Sequence, residues 1–388
     1  MPLRVEHKDG KKICVKCLEL KNLELFGDRS QHWDGKNTVC IVCQRKLVVQ
    51  YSRKCGIRPI IETRVPHDEN GNKRCNGCEK WKTLEQFGPS KPMNETQPRA
   101  EQAAVWVVGC LGMLGRELTE TLAAAGWPCV GTDRECDIGD ASALRAFASG
   151  RRIGWIVNAA AYTAVDRAED EPDQARRLNA RGAANCAMIA TACGARLIHL
   201  STDYVFDGTG CRPYVEDDPV CPIGVYAQTK AEGERLVLEA CPGAIILRTA
   251  WLYGRHGGNF VHTMLRLMRE RERIQVVADQ LGTPTRVTSI CAVILTLITR
   301  FPDASGIFHV TDGGETTWYE FASAIAEDGR QWGLVPGTCR IEPCATAAYP
   351  TRARRPAYSV LSKDKITALL GVAPMPWREG LAEYLEPV

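Results

Sequence analysis

The chain predicts an α/β fold: a doubly wound parallel sheet with a smaller C-terminal lobe, set behind a small cysteine-bearing module. Three observations carry this reading. From residue 104 onward, apolar runs of strand length alternate with helical patterns. The first of those runs opens into Gly109-Cys110-Leu111-Gly112-Met113-Leu114-Gly115 and then a helical pattern. Two C-x-x-C pairs, Cys14/Cys17 and Cys40/Cys43, stand well ahead of that alternation.

A chain of 388 residues with 45% apolar and 24% charged side chains has the balance of a globular protein with a sizeable core. No stretch approaches the roughly 20 apolar residues that span a bilayer; residues 290–298 come nearest and are far too short. The first residues, "MPLRVEHKDGKK", lack the apolar core of an export signal, so a cytoplasmic location without membrane partners is expected. The net charge of +3 is unevenly spread. Residues 1–92 hold 19 Lys+Arg against 11 Asp+Glu, and the remainder 30 against 35. Seven of the 18 cysteines lie in that basic stretch; the other 11 are scattered without pairing rhythm, as packed thiols are. Two unlike parts are joined.

In residues 1–92 the four thiolates Cys14, Cys17, Cys40 and Cys43 have the spacing that surrounds one zinc ion tetrahedrally, which predicts a zinc-ribbon-like fold. A small, loop-rich segment needs such a staple. The module also repeats in part. "KICVKCLELKNLELFGDRS" (residues 12–30) matches "KRCNGCEKWKTLEQFGPSK" (residues 73–91) at both cysteines and at Lys21/Lys82, Leu23/Leu84, Glu24/Glu85, Phe26/Phe87 and Gly27/Gly88. The second copy stops before another C-x-x-C. This pattern resembles the zinc modules found ahead of HNH-type endonucleases in phages, although no nuclease body follows. Its positive charge makes nucleic acid a partner to consider, with a structural or protein-contacting ribbon as the alternative. Residues 93–103 are polar and read as a linker.

Residues 104–388 carry the chemistry. The strand at 104–108 leads into three glycines whose spacing permits a tight turn, backbone contact with a pyrophosphate and close helix–strand packing, with a helix expected at 116–125. A second strand at 129–132 ends in Asp133, at the distance of a ribose-binding carboxylate. Asp133 favours NADH, whereas the adjacent Arg134 could receive the 2′-phosphate of NADPH. Strands follow at 155–157, 195–200 and 244–247, with a long helical pattern at 173–193 and another opened by Tyr226. The 195–200 strand delivers Ser201, Thr202 and Asp203 to the carboxyl edge of the sheet. Tyr226 and Lys230, four apart on a helix, share a face, where an ammonium would bring the phenol's pKa of about 10 down towards the working range. With Thr202 holding a carbonyl oxygen and Tyr226 giving it a proton, only a hydride is missing, and a nicotinamide supplies that.

The segments "NAAAYTAVDRAEDEP" (158–172), "LSTDYVFDG" (200–208), "YAQTKAEGE" (226–234), "LRTAWLYG" (247–254), "DQLGTPT" (279–285) and "RRPAYSVLS" (354–362) occur in order. Together they resemble the dTDP-4-dehydrorhamnose reductases, extended short-chain dehydrogenase/reductases with a Rossmann-type sheet. The resemblance implies Tyr226 as proton donor, Lys230 as its modulator and a holder of the nicotinamide ribose, and Thr202 on the substrate carbonyl beside Asp203. It implies Gly109, Gly112, Met113, Leu114 and Gly115 at the pyrophosphate, Asp133 at the ribose, and Asp137 and Ile138 at the adenine. Ala161, Tyr162 and Thr163 would flank the cofactor, and Trp251 would pack on the sugar of a dTDP-linked substrate. Asn179 and Arg248 stay open between a part in the site and a cap or salt bridge. Some family members form homodimers around magnesium held by glutamates, but no such ligand set is legible here. Rival readings are a non-catalytic, reductase-like regulatory subunit and a related sugar-nucleotide reductase or epimerase.

Overall fold

The computed structural model describes residues 103–387, together with the strands Lys11–Ile13, Leu20–Asn22, Phe26–Asp28, Lys36–Cys40, Lys73–Arg74 and Trp81–Lys82. The chain divides into two compact units, Met1–Gln97 and Pro98–Val388. In the first unit the repeat has a structural counterpart. Lys11–Ile13 pairs antiparallel with Leu20–Asn22, placing Lys12 opposite Lys21, and Lys73–Arg74 pairs with Trp81–Lys82, placing Lys73 opposite Lys82. Equivalent residues of the two copies therefore meet in the same register. Of the zinc ligands expected from the sequence, Cys14, Cys17 and Cys43 lie outside the described residues, and Cys40 is described only as the last residue of its strand.

The second unit is built on six parallel strands: β1 (Ala104–Val108), β2 (Cys129–Thr132), β3 (Ile153–Asn158), β4 (Arg196–Thr202), β5 (Ile245–Thr249) and β6 (Gly306–His309). They stand in the order β2-β1-β3-β4-β5-β6. The order reverses between β1 and β3, and a doubly wound sheet binds ligands outside the carboxyl ends of its strands at such a point. Both faces are covered, so apolar side chains from the strands point into both layers. Along β1, Val105 and Val107 face one core layer with α1 (Met113–Ala124) and α6 (Val287–Arg300). Trp106 and Val108 face the other, with α2 (Ala141–Ala148), α3 (172–193) and α4 (Val225–Ala240). The apolar run at 290–298 is thus core, and no helix among the described residues is long and apolar enough to cross a membrane.

The long helix α3 begins with Pro172–Arg176, passes through a π segment, Arg177–Gly182, and continues as Ala183–Cys193 until Gly194 ends it in the left-handed conformation. A smaller lobe packs α5 (Phe260–Glu270), α7 (Trp318–Gln331) and α8 (Trp377–Leu385) around Tyr253, Met264, Phe321 and Ile325. Its parallel strand pair, Arg273–Val277 with Arg340–Cys344, joins segments far apart in sequence.

Candidate active site

At the end of β1, Gly109 takes φ +81°, and a Cβ there would lie 2.7 Å from the backbone N of Ala160. At Gly115 a Cβ would lie 2.1 Å from the carbonyl O of Gly109, so glycine alone lets α1 close onto the loop. Helix α1 therefore begins at Met113, three residues ahead of the sequence expectation. Gly112 is its N-cap, and no side chain caps it. An uncapped helix N-terminus at the β1/β3 crossover suits a pyrophosphate, so the residues present fit a dinucleotide. Leu114 turns its side chain into the core, which leaves its backbone for that contact, whereas Met113 is half-buried.

Asp133 closes the loop from the β2 side: its carboxylate accepts from the N–H of Leu111 (3.1 Å) and of Arg134 (3.0 Å), and Arg134 stands exposed beside it. Asp137 is paired with Arg177, and burial works against the hydrogen bond from that guanidinium that holds its carboxyl below the usual range. Ile138 is buried, with its carbonyl O taken by Asn185 Nδ2 at 2.8 Å. Across the crevice, Ala161 and Tyr162 are half-buried and Thr163 is exposed. Asn179 fixes this stretch. Its side chain accepts from the Tyr162 N–H (2.8 Å) and donates to the Tyr162 carbonyl (3.1 Å) and to Thr229 Oγ1 (3.1 Å) on α4. The π segment permits this by pressing the Asn179 carbonyl onto α4, where a Cβ at Gly233 would lie 2.1 Å away.

Thr202 ends β4, with its hydroxyl accepting from the N–H of Tyr204 and donating to Asp203 Oδ1 at 3.0 Å. Tyr226 is the second residue of α4, whose N-terminus receives a carboxylate that sequence reasoning missed: Glu169 Oε1 accepts from Val225 N–H at 2.8 Å. Burial pushes the Tyr226 phenol up to about 12; the neighbouring Thr202 hydroxyl opposes this and the charge of Asp203 adds to it. Lys230, 2% exposed, donates from Nζ to the carbonyl of Leu200 at 2.6 Å, and burial lowers it to about 8 against the favourable charge of Glu234. The structure thus brings Tyr226 beside Thr202 and ties Lys230, from α4, to the Leu200 carbonyl of the strand that Thr202 ends. The expected pull of Lys230 on the phenol is not among the influences on Tyr226, of which burial is the largest. The Lys230 ammonium is committed to Leu200.

Asp203 is 2% exposed, and its Oδ2 has no partner. Burial raises its carboxyl to about 7, against hydrogen bonds from Ser359 and Thr202. A raised carboxyl pKa gives stability that is complete below the unfolded value near 4 and is lost as pH rises through about 7. Asp203→Asn, which does not titrate, is therefore expected to gain on the wild type as pH rises from 4 to 8, by a few degrees of melting temperature. Differential scanning fluorimetry across that range checks it; parallel curves would show that Asp203 keeps an ordinary pKa.

Behind the site lies a buried pair. Arg248 donates from Nε (2.9 Å) and Nη2 (2.7 Å) to the two oxygens of Glu234, which also accepts from Ser201 Oγ. Trp251 is the one non-glycine residue with positive φ (+47°) among the described residues, and its indole stacks on Trp318. Magnesium does not fit the acidic cluster that the structure forms. Glu117, Glu120 and His256 come within 4.8 Å of one another, but Arg255 already bonds both oxygens of Glu117 and one of Glu120.

Sheet, glycine loop and hydroxyl–phenol pair together define an NAD(P)-dependent oxidoreductase with a Rossmann-type fold. Residues 103–388 match the family model described as RmlD substrate binding domain. The chain is 40% identical to the spore coat polysaccharide biosynthesis protein SpsK of Bacillus subtilis, over 73% of this chain and 96% of that one. It is 39% identical to the dTDP-4-dehydrorhamnose reductase of Burkholderia thailandensis, over 71% of this chain and 95% of that one. The crystal structure of dTDP-4-dehydrorhamnose reductase from Bacillus anthracis in complex with NADP superposes with a TM-score of 0.68 at 36% identity, covering 73% of this chain and 98% of that one. The chain belongs to the dTDP-4-dehydrorhamnose reductase family.

Proposed function

We propose that residues 104–388 catalyse the NADPH-dependent reduction of the C4 ketone of dTDP-4-dehydro-L-rhamnose to dTDP-L-rhamnose. The observation that carries this is the Tyr226 phenol set beside the Thr202 hydroxyl at the carboxyl end of β4, on the sheet edge that also holds the uncapped N-terminus of α1. Bound there, the cofactor supplies the hydride. Thr202, turning its hydroxyl from Asp203, holds the ketone oxygen, and Tyr226, neutral at physiological pH because burial keeps its proton on, donates that proton. Lys230 holds the ribose, and the unpartnered Oδ2 of Asp203 accepts a sugar hydroxyl. Both Asp133 oxygens are engaged by backbone N–H groups while Arg134 is free beside them, which favours a 2′-phosphate and so NADPH over NADH. A regulatory, non-catalytic chain would have no use for a buried Lys230 and a half-satisfied Asp203 at one strand end.

The test is oxidation of NADPH and of NADH, followed at 340 nm, with dTDP-4-dehydro-L-rhamnose generated in situ. Substrate-dependent oxidation with NADPH preferred is the expected result. No oxidation with either cofactor would overturn the reading.

A further inference from the structure

The lobe that carries Trp251 holds that side chain with unusual care. A bulky residue at φ +47° sits in a region that L-residues seldom occupy, and such strain persists only where neighbours enforce it. Two neighbours do so. Trp318 stacks on the indole, with ring centroids 3.5 Å apart and planes 11° from parallel. Gly282 lies against the same ring: a Cβ there would fall 2.5 Å from Cε2, 2.6 Å from Cζ2 and 2.8 Å from Nε1. One short ladder delivers both. Leu281–Gly282 pairs antiparallel with Thr316–Thr317, so Gly282 stands opposite Thr316 and Trp318 follows at once as the first residue of α7. That helix start is itself locked, by a capping box between Thr317 and Glu320. Phe260 backs Trp318 at 4.6 Å, and the Trp251 carbonyl is held by the Thr285 N–H at 3.2 Å. The indole of Trp251 remains partly exposed.

We infer that Trp318 and Gly282 form a clamp that fixes Trp251 in one orientation, making Trp318 a positioning residue for the sugar of the nucleotide-sugar substrate. The inference rests on the proposed reductase reading, in which Trp251 meets the sugar. A free indole on a strained backbone would relax to an ordinary conformation and lose the wall it offers. The clamp prevents this from two sides: Trp318 by stacking, and Gly282 by leaving no side chain that would push the ring away.

The experiment uses the full chain. Trp318→Ala is expected to raise KM for the dTDP-sugar roughly tenfold, the scale of a lost aromatic stack, with kcat kept within about twofold. Gly282→Ala, whose Cβ would crowd the same ring, is expected to act alike. NADPH affinity, measured by fluorescence titration, stays unchanged in both. Trp318→Phe keeps a stacking ring and should restore most of the KM. Two stacked indoles also couple in circular dichroism, giving a couplet near 225 nm that Trp318→Phe and Trp251→Phe should each abolish in the absence of any substrate. Should Trp318→Ala fail to fold, Gly282→Ala still tests the clamp with both indoles present. Normal wild-type turnover with KM unmoved in the folded variants would overturn this inference alone. Absence of wild-type turnover would overturn the reductase reading and the substrate half of the inference with it, while the couplet would still report the clamp.

Discussion

Replacement of Tyr226 by Phe is expected to lower turnover of the dTDP-sugar by about a thousandfold or more, the upper range for loss of a general acid, while NADPH binds as before. The hydroxyl is the one atom removed, and its surroundings show what it does. Burial holds the phenol as a proton donor, with a pKa near 12, and the Thr202 hydroxyl lies beside it. The other titratable groups near Thr202 are already engaged: Asp203 Oδ1 accepts from the Thr202 hydroxyl, and Lys230 Nζ donates to the Leu200 carbonyl. Cofactor affinity should survive because the ring stays, packed edge-on against Tyr204 at 6.1 Å. Single-turnover kinetics with bound NADPH separates the two quantities. If the Phe variant kept more than about a tenth of wild-type turnover, general acid catalysis by Tyr226 would be untenable.

Much of this site was legible along the chain because its parts are local. A strand, a glycine turn and a helix are consecutive in sequence, and the steric need for Gly109 and Gly115 follows from the turn itself. Thr202 is likewise announced by the strand it ends, and Tyr226 and Lys230 by their helical spacing. Even there the ends differ from expectation for physical reasons. β4 continues through Ser201 and Thr202 because both pair with β5, opposite Arg248 and Thr249, so the polar end of the run is strand and not loop.

What stayed hidden depends on contacts between distant segments. No local pattern says that Glu169 will cap the helix carrying Tyr226, that a π segment will press Asn179 onto Gly233, or that Arg273–Val277 will pair with Arg340–Cys344. The electrostatics depend on such contacts as well: spacing suggests that the Lys230 ammonium acts on the phenol, and the fold also presents Lys230 with the Leu200 carbonyl and half-buries Tyr226. Trp251 shows the converse: the residue was picked out by resemblance, but its left-handed backbone and its partner Trp318 emerge only once residues 251, 282 and 318 are brought together.

The second large effect is on stability. Arg248→Met is expected to lower unfolding free energy by roughly 3–5 kcal/mol, the usual consequence of stripping one partner from a buried ion pair. The side chains of Arg248 and Glu234 are 3% and 6% exposed, so the surviving carboxylate would have little access to water. Ser201 alone would remain bonded to it. A Glu234→Leu, Arg248→Leu double replacement should recover most of the loss, since a buried pair exchanged for apolar groups of similar size is often close to neutral. Urea denaturation of the three proteins measures this, and a single-variant loss below about 1 kcal/mol would mean that water reaches the pair. The network also bears on chemistry. Glu234 lies one turn beyond Lys230 on α4 and favours its charged form against the burial that has already brought it to about 8. Removing that carboxylate should push Lys230 lower still. The alkaline fall in turnover would then begin at a lower pH in Glu234→Gln than in the wild type, which ties the buried Arg248–Glu234 pair to the protonation state of Lys230.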